Sequence, residues 1–174
     1  MTHVVVLSDT HIRRAGLRPT HGARRALARL PDAAYPYLDG ADVILHAGDV
    51  LVADVLDELG GFAPVHAVLG NNDAELVGVL PETVELAFAG VRVAMVHDSG
   101  PSTGRAGRMR RRFPTADVVV FGHSHIPWNA AGPDGQILFN PGSPTERRAQ
   151  PRHTLGTLDL ESGRVTAAAI HVLT

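Results

Sequence analysis

Three short apolar runs constrain the first part of the chain more than any other feature. They are Val4–Leu7, Asp42–His46 and Pro64–Leu69. Runs this short and this uniformly apolar suit strands covered on both faces of a sheet. Between the first two, Thr20–Leu38 has helical composition interrupted by Pro31 and Pro36, which predicts one helix and then a turn or short second piece. Between the second and third, Leu51–Leu59 spaces its apolar residues helically and stops at Gly60-Gly61. Alternation of strand and helix over short connections predicts a parallel sheet with covering helices.

The pattern then turns to strands. Thr83–Ala89 and Val91–Val96 read as a hairpin joined at Ala89-Gly90. Ser102–Phe113 reads as an Arg-rich helix stopped by Pro114, and Asp117–Phe121 as another buried strand. Trp128–Ala131 and Gln136–Phe139 flank the turn residues Gly132-Pro133-Asp134-Gly135. His153–Leu160 and Arg164–Leu173 close the chain around Ser162-Gly163. The expectation is one α/β sandwich with a β-rich second half, a single domain over residues 1–174.

Composition excludes several functions. Cysteine is absent, which removes disulfides, thiolate metal sites and cysteine nucleophiles. The net charge of −2 gives no global basic field, so there is no strong nucleic-acid signal. All 16 basic residues are Arg, the better fork for phosphate oxygens. No run has membrane-spanning length and no basic n-region opens the chain, so a cytoplasmic protein with no membrane partner is expected.

The residues just past the apolar strands carry the chemistry. Asp9 and His11 follow the first strand, Asp49 the second, Asn71 and Asp73 the third. His97 and Asp98 follow Val91–Val96, and His123 and His125 follow Asp117–Phe121. In α/β sheets ligands gather outside the carboxyl ends of the strands. Oxygen and nitrogen donors without sulfur suit Mn, Fe, Zn or Ni, and seven good donors fit two ions that share a carboxylate.

Asp9-Thr10-His11, Gly48-Asp49, Gly70-Asn71-Asn72-Asp73, His97 and Gly122-His123-Ser124-His125 stand in the order of the calcineurin-like metallophosphoesterase motifs, which the chain resembles from Val4 to Ser143. Asn140-Pro141-Gly142-Ser143 resembles a feature of the small YfcE-like phosphodiesterase branch. The resemblance implies a four-layer α/β/β/α fold, a two-sheet sandwich flanked by helices. It implies two divalent transition-metal ions, Mn²⁺ first and Ni²⁺, Fe²⁺ or Zn²⁺ as alternatives. One ion would be held by Asp9, His11, Asp49 and His125, the other by Asp49, Asn71, His97 and His123, with Asp49 bridging. The implied reaction is hydrolysis of a small phosphate ester, a phosphodiester first, by in-line attack of a hydroxide between the ions.

Two positions depart from the wider family. Many members have His after the ligand Asn, whereas here it is Asn72, which donates hydrogen bonds but cannot act as a general acid near neutral pH. Asn72 is therefore expected to bind a phosphate oxygen, with activated esters cleaved best. Asp98 replaces a usual Gly, either as a partner to a ligand or as a repulsive charge toward substrate. Asp73 either pairs with a ligand His or closes its turn. His46 is expected to be a satisfied core histidine, and His3, His21, His66, His153 and His171 match no motif. Asn140–Ser143 are expected to shape a turn beneath the metal site. Trp128, the only Trp, fits either the core or a pocket wall. Arg13, Arg14 and Arg18 fit either a substrate-binding loop or a solvated one. Arg105, Arg108, Arg110, Arg111 and Arg112 read first as a solvated helix face, with binding as the alternative. Two other functions compete with the enzyme: a non-catalytic interaction scaffold on the same fold, which would tend to lose ligand histidines, and a nuclease acting on short oligonucleotides.

Overall fold

The computed structural model describes residues 1–13 and 27–174. Its strands are β1 (Thr2–Leu7), β2 (Val43–His46), β3 (Val65–Ala67), β4 (Thr83–Phe88), β5 (Val91–Val96), β6 (Val118–Val120), β7 (Trp128–Ala131), β8 (Ile137–Asn140), β9 (His153–Glu161) and β10 (Arg164–Leu173). Its helices are α1 (Tyr35–Asp39), α2 (Ala53–Leu59) and α3 (Arg105–Arg112). One sheet has the order β10-β9-β1-β2-β3 and the other β4-β5-β6-β8-β7. β1, β2 and β3 run parallel, as do β5, β6 and β8.

The alternation of side chains along each strand builds the layers. Val4 and Val6 of β1 point into the space between the sheets, with Val93, Met95, Val118, Val120 and Phe139 from the other sheet. Val5 and Leu7 point the other way, onto Leu38, Val55 and Leu59 of the first two helices. On the far side, Ala94, Val96, Val119 and Phe121 pack against Met109 and Phe113 at α3. Central strands therefore bury both faces, which is why Val4–Leu7, Val43–Leu45 and Val118–Val120 are unbroken apolar runs. The result is the four-layer α/β/β/α sandwich.

Both predicted two-residue hairpins are present. Ala89 and Gly90 have φ of 48° and 82°, and Ser162 and Gly163 have 50° and 77°. Positive φ at both turn residues matches the twist of the flanking strands.

The helices are shorter than expected. The part of the Thr20–Leu38 expectation before Leu27 lies outside the described residues. From Leu27 the chain makes two 3-10 turns and then α1, with Pro36 in the first helical turn, where its missing N–H costs nothing. Pro36 therefore starts a helix instead of breaking one. α2 begins two residues after Leu51, whose φ is 81° and whose N–H is bonded to the Asp73 carboxylate. No helix among the described residues is long and apolar enough to cross a membrane.

Candidate metal centre

The carboxyl ends of β1, β2, β3, β5 and β6 meet at one edge of the sandwich and bring all seven candidate ligands together. Asp49 is fully buried at the centre. Its Oδ2 lies 3.4 Å from His11 Nε2 and 3.5 Å from His97 Nε2. On one side, Asp9 Oδ1 is 3.3 Å from His125 Nε2, and the His11 and His125 Nε2 atoms are 3.2 Å apart. On the other side, Asn71 Oδ1 is 3.0 Å from His97 Nε2 and 2.9 Å from His123 Nδ1. Donor atoms of Asp9, His11 and His125 form one group that could hold a cation, and those of Asp9, Asp49 and His97 form another. Asp9 thus reaches both halves, a wider reach than its expected place in one.

Backbone conformation turns these side chains inward. Asp9, His11, Asp49, His123 and His125 all have φ between 45° and 65°. The left-handed region is uncommon for residues with a Cβ, and such outliers gather at functional sites. Two glycines let the loops close. A Cβ on Gly70 would fall 2.2 Å from Asp49 N, and one on Gly122 would fall 1.9 Å from Ser8 Oγ.

The surrounding hydrogen bonds orient the donors. His97 Nδ1 bonds the Ala47 carbonyl at 2.7 Å, and His125 Nδ1 bonds the Glu146 carbonyl. In the neutral ring each Nε2 then carries its lone pair into the site. Asp9 Oδ2 accepts from Ser8 Oγ and from the His123 N–H, whereas the buried Asp9 Oδ1 accepts no hydrogen bond. Imidazole nitrogens, an amide oxygen and an unpartnered carboxylate oxygen therefore crowd together, an arrangement that divalent cations fit.

Electrostatics agree with this picture. Burial pushes the Asp9 carboxyl up, but His125 and Ser8 outweigh it and hold it below the usual range. Asp49 is likewise pushed up by burial and brought down further by His97 and by the Asn72 N–H groups. Burial lowers His97 and His125, yet Asp49 and Asp9 raise both above the ordinary histidine value. His11 is lowered, chiefly by burial.

Supporting residues resolve several sequence-level alternatives. Asp73 closes more than its own turn: its carboxylate accepts N–H bonds from Gly70, Asp49 and Leu51, locking two ligand loops together. Asn72 donates from its backbone and side chain to the two Asp49 oxygens at 2.8 and 2.7 Å. Asp98 is exposed and accepts the Gly100 N–H, so it shapes a local turn. Asn140 and Ser143 do brace the site from below, through the Gly122 and Asp9 carbonyls. His46 is buried but only partly satisfied: Nε2 pairs with Thr10 Oγ1 at 3.1 Å while Nδ1 has no partner. Of the Arg loop only Arg13 is described, and it is exposed.

The α3 arginines are not simply a solvated face. Arg108 bonds the Ser99, Pro101 and Thr103 carbonyls, and Arg110 pairs with Asp134. Arg105 is buried against Phe121 and Trp128. Their partners are loop carbonyls and rings brought in by folding, which helix periodicity does not reveal. Sequence reasoning also missed Ser8, Thr10 and the Glu146 carbonyl. Ser8 and Thr10 flank Asp9, and that adjacency was the one available signal.

A sulfur-free cage of oxygen and nitrogen donors at converging strand ends defines a candidate site for divalent cations. Residues 1–163 match the calcineurin-like phosphoesterase superfamily domain, and the chain belongs to that family of metallophosphoesterases. A protein of Methanothermobacter thermautotrophicus named a probable metallophosphoesterase is 33% identical over 145 residues, 82% of this chain and 77% of that protein. Two solved structures share the fold. One, described as a novel archaeal phosphodiesterase, has a TM-score of 0.70 and 19% identity, covering 98% of this chain and 99% of that one. The other, Vps29 of Entamoeba histolytica complexed with Zn²⁺, has a TM-score of 0.70 and 20% identity, covering 97% of each chain.

Proposed function

We propose that this protein is a dinuclear phosphodiesterase acting on a small phosphate ester. Asp9, His11, Asp49 and His125 would hold one divalent cation, and Asp49, Asn71, His97 and His123 the other, with Mn²⁺ first among the candidates. The single observation that carries the reading is Asp49 Oδ2, buried between His11 Nε2 at 3.4 Å and His97 Nε2 at 3.5 Å. Two bound cations supply the charge that lowers the pKa of a shared water and offsets charge developing on phosphate oxygens.

The chain's own residues do the rest. Asp73 fixes the loops that carry Asp49 and Asn71. The Asn72 amide has two N–H donors and spends one on Asp49, which leaves the other for a phosphate oxygen. Asn72 cannot protonate a departing alkoxide, so esters with acidic leaving groups turn over fastest.

The test is to strip metals with chelator, add back Mn²⁺, Ni²⁺, Zn²⁺ or Mg²⁺, and assay an aryl phosphodiester beside an aryl phosphomonoester. Metal-dependent turnover, faster for the diester and lost in Asp49→Asn, is expected. Two bound metals with no turnover of either ester would replace the enzyme with a non-catalytic scaffold on the same fold. Unchanged diester turnover in Asn72→Ala would remove that residue from phosphate binding.

A further inference from the structure

A buried cation lies beside the candidate centre with no described carboxylate in ion-pair contact. Arg105, in the first turn of α3, is 8% exposed. Its guanidinium stacks over Phe121 at 4.8 Å and Trp128 at 5.1 Å from the ring centroids. Its one hydrogen bond among the described residues runs from a terminal nitrogen to the Gly100 carbonyl at 3.3 Å, and Nε has no partner. No described carboxylate forms an ion pair with it. Asp98, the acid on the same wall, attracts Arg105 through its charge without touching it and bonds the Gly100 N–H.

An unpaired buried charge is costly unless a partner arrives from outside. The opening beside Arg105 shows where such a partner would enter. A cleft of about 420 Å³ runs between the 98–102 loop and the 123–126 loop, with Arg105 on its wall and His123 beside it. One cleft thus joins His123, a candidate metal ligand, to a guanidinium with spare donors. A planar guanidinium held by two rings presents a fixed fork suited to phosphate or carboxylate oxygens.

We propose that Arg105 is the anchor of an anion subsite, and that the preferred substrate is a phosphodiester bearing a second anionic group, phosphate above all, a few bonds from the scissile phosphorus. This substrate assignment rests on the phosphodiesterase reading above. Anion binding at Arg105 does not require it. Arg105 holds the second anion in the cleft while the scissile phosphate lies against the metal centre.

Trp128 is the only tryptophan, and Arg105 lies on its ring, so it reports on this subsite. Metal-free protein is titrated with thymidine 3′,5′-bisphosphate while Trp fluorescence is followed. Wild type gives a saturable change, Arg105→Gln binds about tenfold or more weakly, the scale of one charge-assisted hydrogen bond, and Arg105→Lys recovers part of the affinity. Superimposable titrations for wild type and Arg105→Gln overturn the subsite. The second arm compares kcat/KM for the p-nitrophenyl ester of thymidine 5′-phosphate with and without a 3′-phosphate. Wild type prefers the 3′-phosphorylated ester about tenfold, and Arg105→Gln loses the preference while keeping turnover of the plain ester. Equal losses on both esters reveal a merely structural arginine and overturn the proposal. Two bound metals with no turnover of either ester remove the phosphodiesterase reading and this substrate with it, while the fluorescence titration decides the anion site by itself.

Discussion

The two halves of the candidate centre are built differently. Around Asp9, His11 and His125 the side chains are buried or nearly so, a second carboxylate joins Asp49, and all three residues have left-handed backbone. Around Asn71, His97 and His123, His97 is buried but the Asn71 side chain is exposed and His123 is half-buried, and a neutral amide joins the donors, with Asp9 in reach of His97 from the other side. Charge and enclosure both strengthen cation binding. On the dinuclear reading the contrast implies a division of labour: the enclosed half would hold its ion more tightly, and the open half, which adjoins the Arg105 cleft, would meet the substrate.

The largest effect is expected where the halves join. Asp49→Asn lowers diester turnover on the order of a thousandfold and reduces bound metal below two per chain, measured by kinetics and elemental analysis. Equal occupancy in that variant would dissolve the idea of a shared ligand.

Next come the halves themselves. Asn71→Ala loses the weaker ion and keeps about one per chain, whereas Asp9→Asn weakens the tighter ion, and metal titration separates the two. If Asn71→Ala bound metal more poorly than Asp9→Asn, the asymmetry would be reversed. Asp73→Asn tests the clamp that holds both Asp49 and Gly70. It lowers turnover about 10- to 100-fold, the range for partners that orient a metal ligand.

The smallest effect concerns acid stability and belongs to the enclosed half, through Thr10. Burial pushes His46 down from 6.5 to about 4. As pH falls, the unfolded chain takes up the proton first. The stability His46 confers by staying neutral is intact above 6.5, declines between 6.5 and 4, and is gone below. The slope follows the proton that the unfolded chain takes up alone in that window. Thermal unfolding of metal-free wild type and His46→Gln across that window checks it: the variant, which does not titrate there, shows the shallower decline.

Much of this was legible in the chain. Strand positions showed because buried strands must be apolar on both faces, and the candidate ligands showed because polar residues stood at each strand end. The hairpins showed because Ala89-Gly90 and Ser162-Gly163 are turn chemistry. What stayed hidden depends on contacts distant in sequence. The Asp73 clamp spans two loops, with bonds to Asp49 and Leu51 as well as Gly70. The Arg105 environment comes from Phe121, just past β6, and Trp128 of β7. The start of α2 was misplaced because Asp73 holds Leu51 out of the helix.

The left-handed loops also limit which residues the site can accept. After glycine, the side chains that tolerate this conformation best are Asn, Asp and His. Those are also side chains that bind divalent cations through oxygen or nitrogen. At positions 9, 11, 49, 123 and 125, backbone shape alone therefore filters the amino-acid alphabet toward metal ligands. A variant library selected only for folding, with no metal present, would already be enriched in donors at these five places.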